Sequence, residues 1–181
     1  MLSTKSIKKA LEGQKEVVHK GREQHKALAD ALELLTWKQF HHLEGLTQYR
    51  NQSWLKLKVW KLRLWRRDVK GYRCASASCG DGDGGQEHLA WSCPEAQVFW
   101  TTWMEAWGQV GADNTQGQTT ATFTCIFSLE IQRVPAWLQD WGADQDDETW
   151  AVMHDVAQTL WERGCVATIT TIWRTRIRRR Q

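Results

Sequence analysis

Three cysteines and one histidine, Cys74, Cys79, His88 and Cys93, fall in the pattern Cys-x4-Cys-x8-His-x4-Cys. Three soft thiolates and one imidazole are the donor number and type of a closed tetrahedral zinc site. The segment between the two close pairs, Gly80-Asp81-Gly82-Asp83-Gly84-Gly85-Gln86, reads as a loop, because Gly and Asp supply turn conformations and no apolar side chain anchors it. Such a loop lets the pairs fold back onto one ion. Four protein donors leave no open position at which a water is activated, so the chemistry expected is structural rather than catalytic. Structural zinc contributes on the order of 10–16 kcal/mol in zinc-finger peptides, so its loss is expected to unfold at least residues 70–100. The competing reading is that the four residues are neighbours in sequence that hold no metal. Cys125 and Cys165 read as buried small apolar residues.

A second chemistry is suggested by cations set among indoles. Lys56, Lys58, Lys61, Arg63, Arg66 and Arg67 lie among Trp54, Trp60 and Trp65, and Arg174, Arg176, Arg178, Arg179 and Arg180 follow Trp173. Cations neutralise phosphates and indoles stack on bases, so RNA or DNA is an expected partner. The plainer alternatives are an amphipathic packing element with a cationic face, and cations at a helix C-terminus, where the helix dipole favours them. The alternative to nucleic acid is a protein-interaction module or a degenerate remnant with no partner, in which the indole-rich faces at Trp100, Trp103, Trp107 and at Trp150, Trp161 meet another chain or only each other.

The stretch from Cys74 and Cys79-Gly80 through Glu87-His88-Leu89-Ala90-Trp91-Ser92-Cys93-Pro94-Glu95-Ala96-Gln97-Val98-Phe99-Trp100 resembles the zinc-binding region at the C-terminal side of reverse transcriptases of non-LTR (LINE-type) retrotransposons. Trp173-Arg174-Thr175-Arg176 is similar to the Trp and Arg-rich sequence that commonly ends that family. The first cysteine gap is wider than usual for the family, one extra residue precedes His88, and Gly and Asp stand where a Glu-Thr pair is usual. The resemblance covers about thirty residues and implies Cys74, Cys79, His88 and Cys93 as the ligands, zinc as the cofactor and a nucleic-acid-associated role beside a polymerase.

The machinery of such an element is not in this sequence. No Tyr/Phe-x-Asp-Asp signature occurs, and Asp146-Asp147 follows Gln145 in an acidic stretch. Nothing suggests the carboxylate set of a nuclease. The glycine loop lacks the Lys-Ser/Thr of a phosphate cradle and breaks off too early for a calcium loop. His154-Asp155 are adjacent on an expected helix and point apart, so they do not form a base and its orienter. His41-His42 beside Glu44 read as a solvated patch. With the resemblance, the chain reads as a non-catalytic fragment or stand-alone derivative of such an element, without its engine.

The elements expected to position these residues are helical. Residues 3–36 carry a helical pattern, with Leu28, Ala31, Leu32 and Leu35 on one face and a polar, solvated arm up to about residue 25. Residues 54–65 fit both a strand and a helix and are assigned to helix. Pro94 suits a first helical turn, Ala96, Trp100, Trp103 and Trp107 follow at helical spacing, and Gly108 is the expected C-cap. Residues 111–120 read as a linker or loop, and the run Phe123 to Leu129 is short and apolar. The acidic stretch Asp144 to Glu148 precedes a helix bearing Trp150, Met153, Val156, Ala157, Leu160 and Trp161. After Gly164 a further helical stripe, Val166, Ile169, Ile172 or Trp173, and Ile177, runs into the Arg-rich end.

The fold class expected is mainly α, a small zinc-stabilised helical domain with a basic helical N-terminal arm. Its segments are a basic helical region over 1–53, the zinc-binding module with flanking helices over 54–108, and a helical region with a basic tail over 109–181. At 181 residues with 41% hydrophobic and 25% charged residues, the chain can bury a real core and is not disordered by composition. Thirteen Trp against two Tyr and four Phe make indoles its main large packing groups. Charge is segregated: 17 Lys/Arg against 7 Asp/Glu over residues 1–73, 1 against 14 over 74–162, and 6 against 0 over 163–181. Basic ends flanking an acidic middle fit either a polyanionic partner or internal charge complementarity. No apolar run is long enough to cross a bilayer, and residues 1–5 do not open a secretory signal, so an intracellular location, nucleus or cytoplasm, is expected.

Overall fold

The computed structural model describes residues 23, 25–36, 54–58, 74, 76–79, 85–108, 123–131 and 134–178. These residues are mainly helical, with no strand among them. In chain order they form α1 (Lys26–Leu34), a helical segment over 54–58, a 3-10 turn (Ala77–Cys79), a π-helical turn (His88–Ser92), α2 (Pro94–Ala106), a helical segment over 123–128, α3 (Ala136–Gly142) and α4 (Asp147–Arg178). The polar arm before residue 23, the rest of the basic segment beyond residue 58 and the linker at 111–120 lie outside the described residues.

Each labelled element follows from its pattern. α1 buries Leu28, Ala31 and Leu32, with Leu35 beyond its end continuing the same stripe. Its last turn has no basic residue of its own; instead Lys58 Nζ donates to the carbonyls of Leu32 and Leu35 at 2.5 Å each, satisfying groups that a helix end leaves open. α2 begins at Pro94, whose missing N–H costs nothing in a first turn. Trp107 ends it and Gly108 follows at φ 79°, a conformation glycine adopts without strain. The cap is therefore Trp107 rather than the expected Gly108, and the glycine is the left-handed residue just past it.

The acidic stretch also acts as expected. Asp146 Oδ1 accepts the Thr149 N–H at 2.7 Å, capping α4. This hydrogen bond, with a second from the Thr149 hydroxyl, holds the Asp146 carboxyl below its ordinary range.

Two expectations need correction. Residues on both sides of Gly164 belong to one helix of 32 residues rather than two. A Cβ at Gly164 would come within 2.0 Å of the Trp103 ring, so glycine is present there for close packing of α2 on α4 and not to interrupt the chain. The flanking Cys165 and Val166 are fully buried, which offsets the roughly 1 kcal/mol that glycine costs inside a helix. The expected α4 stripe also divides: Ala157 and Trp161 are buried and Trp150 and Met153 pack against the core, whereas Val156 and Leu160 are exposed.

The apolar run 123–129 becomes a buried helical segment that ends on a strained residue, Leu129, at φ 62°. Gln158 of α4 holds that turn from both sides: its Nε2 donates to Leu129 O at 2.6 Å and its Oε1 accepts the Ile131 N–H at 3.0 Å. One apolar core then draws on α1, the 54–58 segment, the π turn, α2, the 123–128 segment and α4. Rings divide within it. Trp54 stacks on Phe127, and Trp91 and Trp100 meet Phe127 edge-on. Trp103, Trp107 and Trp161 form a second group between α2 and α4.

Candidate metal centre

The metal-ligand candidates come from two knuckles. In the first, the chain turns from Cys74 through the 3-10 turn, where Cys79 N–H donates to Ser76 O at 3.1 Å and the Ser76 and Ser78 hydroxyls lie 2.6 Å apart. In the second, His88 opens the π turn and Cys93 closes it.

The His-x4-Cys spacing explains why that turn is π. Residues five apart in an α-helix differ by about 140° around the axis and so face away from each other. The wider i→i+5 turn, closed by Cys93 N–H donating to His88 O at 2.8 Å, brings the two donors toward one side. Carbonyls released by this turn are taken up by α2. Trp100 Nε1 donates to Ala90 O and Gln97 Nε2 donates to Trp91 O, both at 2.7 Å. Gln97 and Trp100 are thus supports of the site. The Trp100 indole was legible as packing, and its polar duty was not.

One donor atom from each of Cys74, Cys79, His88 and Cys93 lies within 4.8 Å of the others. Cys93 Sγ is 3.8 Å from Cys74 Sγ and 3.4 Å from Cys79 Sγ. Cys74 and Cys93 are buried, Cys79 and His88 partly so, and His88 Nε2 is sealed from solvent. This cluster can hold a metal ion, and all four donors would be the protein's own.

The thiols differ in their readiness to ionise. Burial works to raise Cys74, but the Ser76 N–H, the Cys79 and Cys93 thiols and the positive charge of Arg176 together bring it below its ordinary value. Burial pushes Cys79 up to about 12, reinforced by hydrogen bonding and charge from Cys93 and Cys74. Cys74 is therefore the thiol eased toward ionisation and Cys79 the one held back from it, as expected when thiols crowd together without a cation.

Four of the basic candidates, Lys56, Lys58, Arg174 and Arg176, have described side chains. Lys56 and Arg174 are exposed. Lys58 spends its ammonium on α1, so it is not a free phosphate ligand. Arg176 is only 6% exposed and is also corrected from a surface cation to an interior one. It continues the buried α4 face of Cys165, Ile169 and Ile172, at the helical spacing that a reading focused on the Arg-rich end passes over. Lys61, Arg63, Arg66, Arg67, Arg179, Arg180 and the side chain of Arg178 lie outside the described residues. Cys165 is buried as expected and Cys125 packs at the core margin. No described helix is long and apolar enough to cross a membrane. Comparison with family models, with curated proteins and with solved structures returns no match.

Proposed function

We propose that this chain is a non-catalytic module organised by one structural zinc ion on Cys74, Cys79, His88 and Cys93, and that it binds nucleic acid through its basic segments. The observation that carries the metal half is the closed convergence of four donors within 4.8 Å. A Zn–S bond of about 2.3 Å in a tetrahedron separates two sulfurs by about 3.8 Å. The Cys74–Cys93 separation of 3.8 Å equals this and the Cys79–Cys93 separation of 3.4 Å is slightly tighter. Thiolate-rich donor sets select zinc over hard cations, which prefer oxygen. A filled coordination shell orients the two knuckles and does no acid–base work.

The nucleic-acid half rests on the segregated charge, on exposed Lys56 and Arg174, and on the resemblance to the zinc-binding region of LINE-type reverse transcriptases. Contacts of this kind read phosphate more than base, so affinity is expected to fall steeply with salt. Titrating the zinc-loaded protein with single-stranded RNA and with duplex DNA over a range of salt tests it. A linear loss of log affinity with log salt supports the proposal, and no binding at low salt removes it.

A second reading is favoured by one observation. Val152, Val156 and Leu160 form a stripe on α4 that is 59%, 45% and 50% exposed. An apolar stripe of this kind suits a protein partner. Self-association in sedimentation, without nucleic-acid affinity, supports this reading over the first.

A further inference from the structure

Arg176 is a cation in the wrong place for a surface ligand. A guanidinium is a cation that offers five N–H donors and no acceptor. Yet Nε, Nη1 and Nη2 are all sealed from solvent and have no hydrogen-bond acceptor among the described residues. An unpaired buried charge is one of the least favourable states a side chain can occupy, so an anionic group belongs beside it. Arg176 lies one helical turn beyond Ile172 on the buried face of α4, Ile172 shares one apolar cluster with Cys74 and Cys93, and α4 packs against the π turn that carries His88.

The charge of the filled site supplies what is missing. A divalent ion with three thiolates and a neutral imidazole carries a net charge of about −1, from the formal charges of its donors. We infer that Arg176 is the counter-cation of the metal–thiolate centre, neutralising it within the core and fastening the C-terminal end of α4 to the two knuckles. The inference rests on the zinc reading above and adds an outer-shell group on an element distant in sequence. Outer-shell partners of a metal site orient its ligands and tune its affinity, and losing one typically costs 10–100-fold in binding.

The test is a charge cycle read by zinc affinity, measured by chelator competition. Arg176→Met removes the charge and keeps much of the stem; Arg176→Lys keeps the charge. Cys79→His replaces the most accessible of the three thiolates by a neutral donor and makes the filled centre formally neutral. In the original Cys3His background Arg176→Met is expected to lower zinc affinity roughly 10–100-fold and Arg176→Lys much less. In the Cys79→His background Arg176→Met is expected to change affinity less than about threefold, because no net charge is left to balance. A packing role would give the same loss in both backgrounds, and that result overturns the inference. Failure of Arg176→Met to fold in both backgrounds overturns it too, whereas rescue of folding by Cys79→His supports it. If the unaltered protein takes up no zinc, the metal reading itself falls and this inference with it. If the unaltered protein takes up one zinc and Arg176→Met binds equally well, only the role of Arg176 falls.

Discussion

At the scale of single residues, Cys79 sets how the site responds to pH. Its thiol, pushed up to about 12, keeps its proton at neutral pH until a metal displaces it. Binding therefore releases at least one proton, and lowering the pH favours the protonated, metal-free state. Zinc affinity is expected to fall about tenfold per displaced proton for each pH unit between about pH 8 and about pH 6, measured by chelator competition; a flat profile contradicts the account. The four donors themselves were legible in the sequence, because thiols and imidazoles at close spacing serve few other purposes. The π turn was not read, although its signal was present: a His and a Cys five residues apart converge on one ion only if the helix between them is wider than α. Arg176 was misassigned because its neighbours in sequence are basic, while its neighbours along the helix face, Ile172 and Ile169, are apolar and buried.

At the scale of elements, two contacts with α4 bear most directly on how it is held. The Trp103 ring occupies the space above Gly164, where a Cβ would approach it to 2.0 Å. Gly164→Ala is expected to destabilise the fold by about 1–3 kcal/mol, because the α2–α4 spacing must open or the indole must leave its rotamer. A fall of several degrees in the thermal midpoint checks this, and an unchanged midpoint contradicts it. Gln158 offers its amide to the Leu129 carbonyl and the Ile131 N–H, the two sides of a turn with a left-handed leucine. Gln158→Ala leaves those groups without this partner and is expected to cost about 1–3 kcal/mol in chemical denaturation. A cost below about 0.5 kcal/mol would mean that the turn does not depend on the clamp. Local pattern was enough to find α2, the glycine at its end and the acidic cap of α4. It misread Gly164, because a glycine demanded by a ring on another helix looks in sequence like a glycine that ends one.

At the scale of the whole molecule, the four candidate metal ligands and the core are one structure. Cys74, Ala90 and Cys93 belong to the same apolar cluster as Trp100, Phe127 and Ile172, so the knuckles cannot loosen without exposing packed rings. Binding free energy of about 10–16 kcal/mol for structural zinc is comparable to the entire stability of a typical domain. Chelation is expected to remove much of the helical circular dichroism and to shift tryptophan emission to longer wavelength as Trp91 and Trp100 meet water; a helical spectrum unchanged by a strong chelator contradicts this coupling. That residues from all three expected segments would share one core was not legible, since tertiary contact is not a local property of sequence. The helical class was, because apolar residues recur at helical spacing along most of the chain.

The most direct test is the metal content of the purified protein, set beside a His88→Ala, Cys93→Ala double variant. The account predicts one zinc per chain, absent from the variant together with much of the helical signal. Folded protein without zinc, or a variant that keeps its zinc, contradicts it.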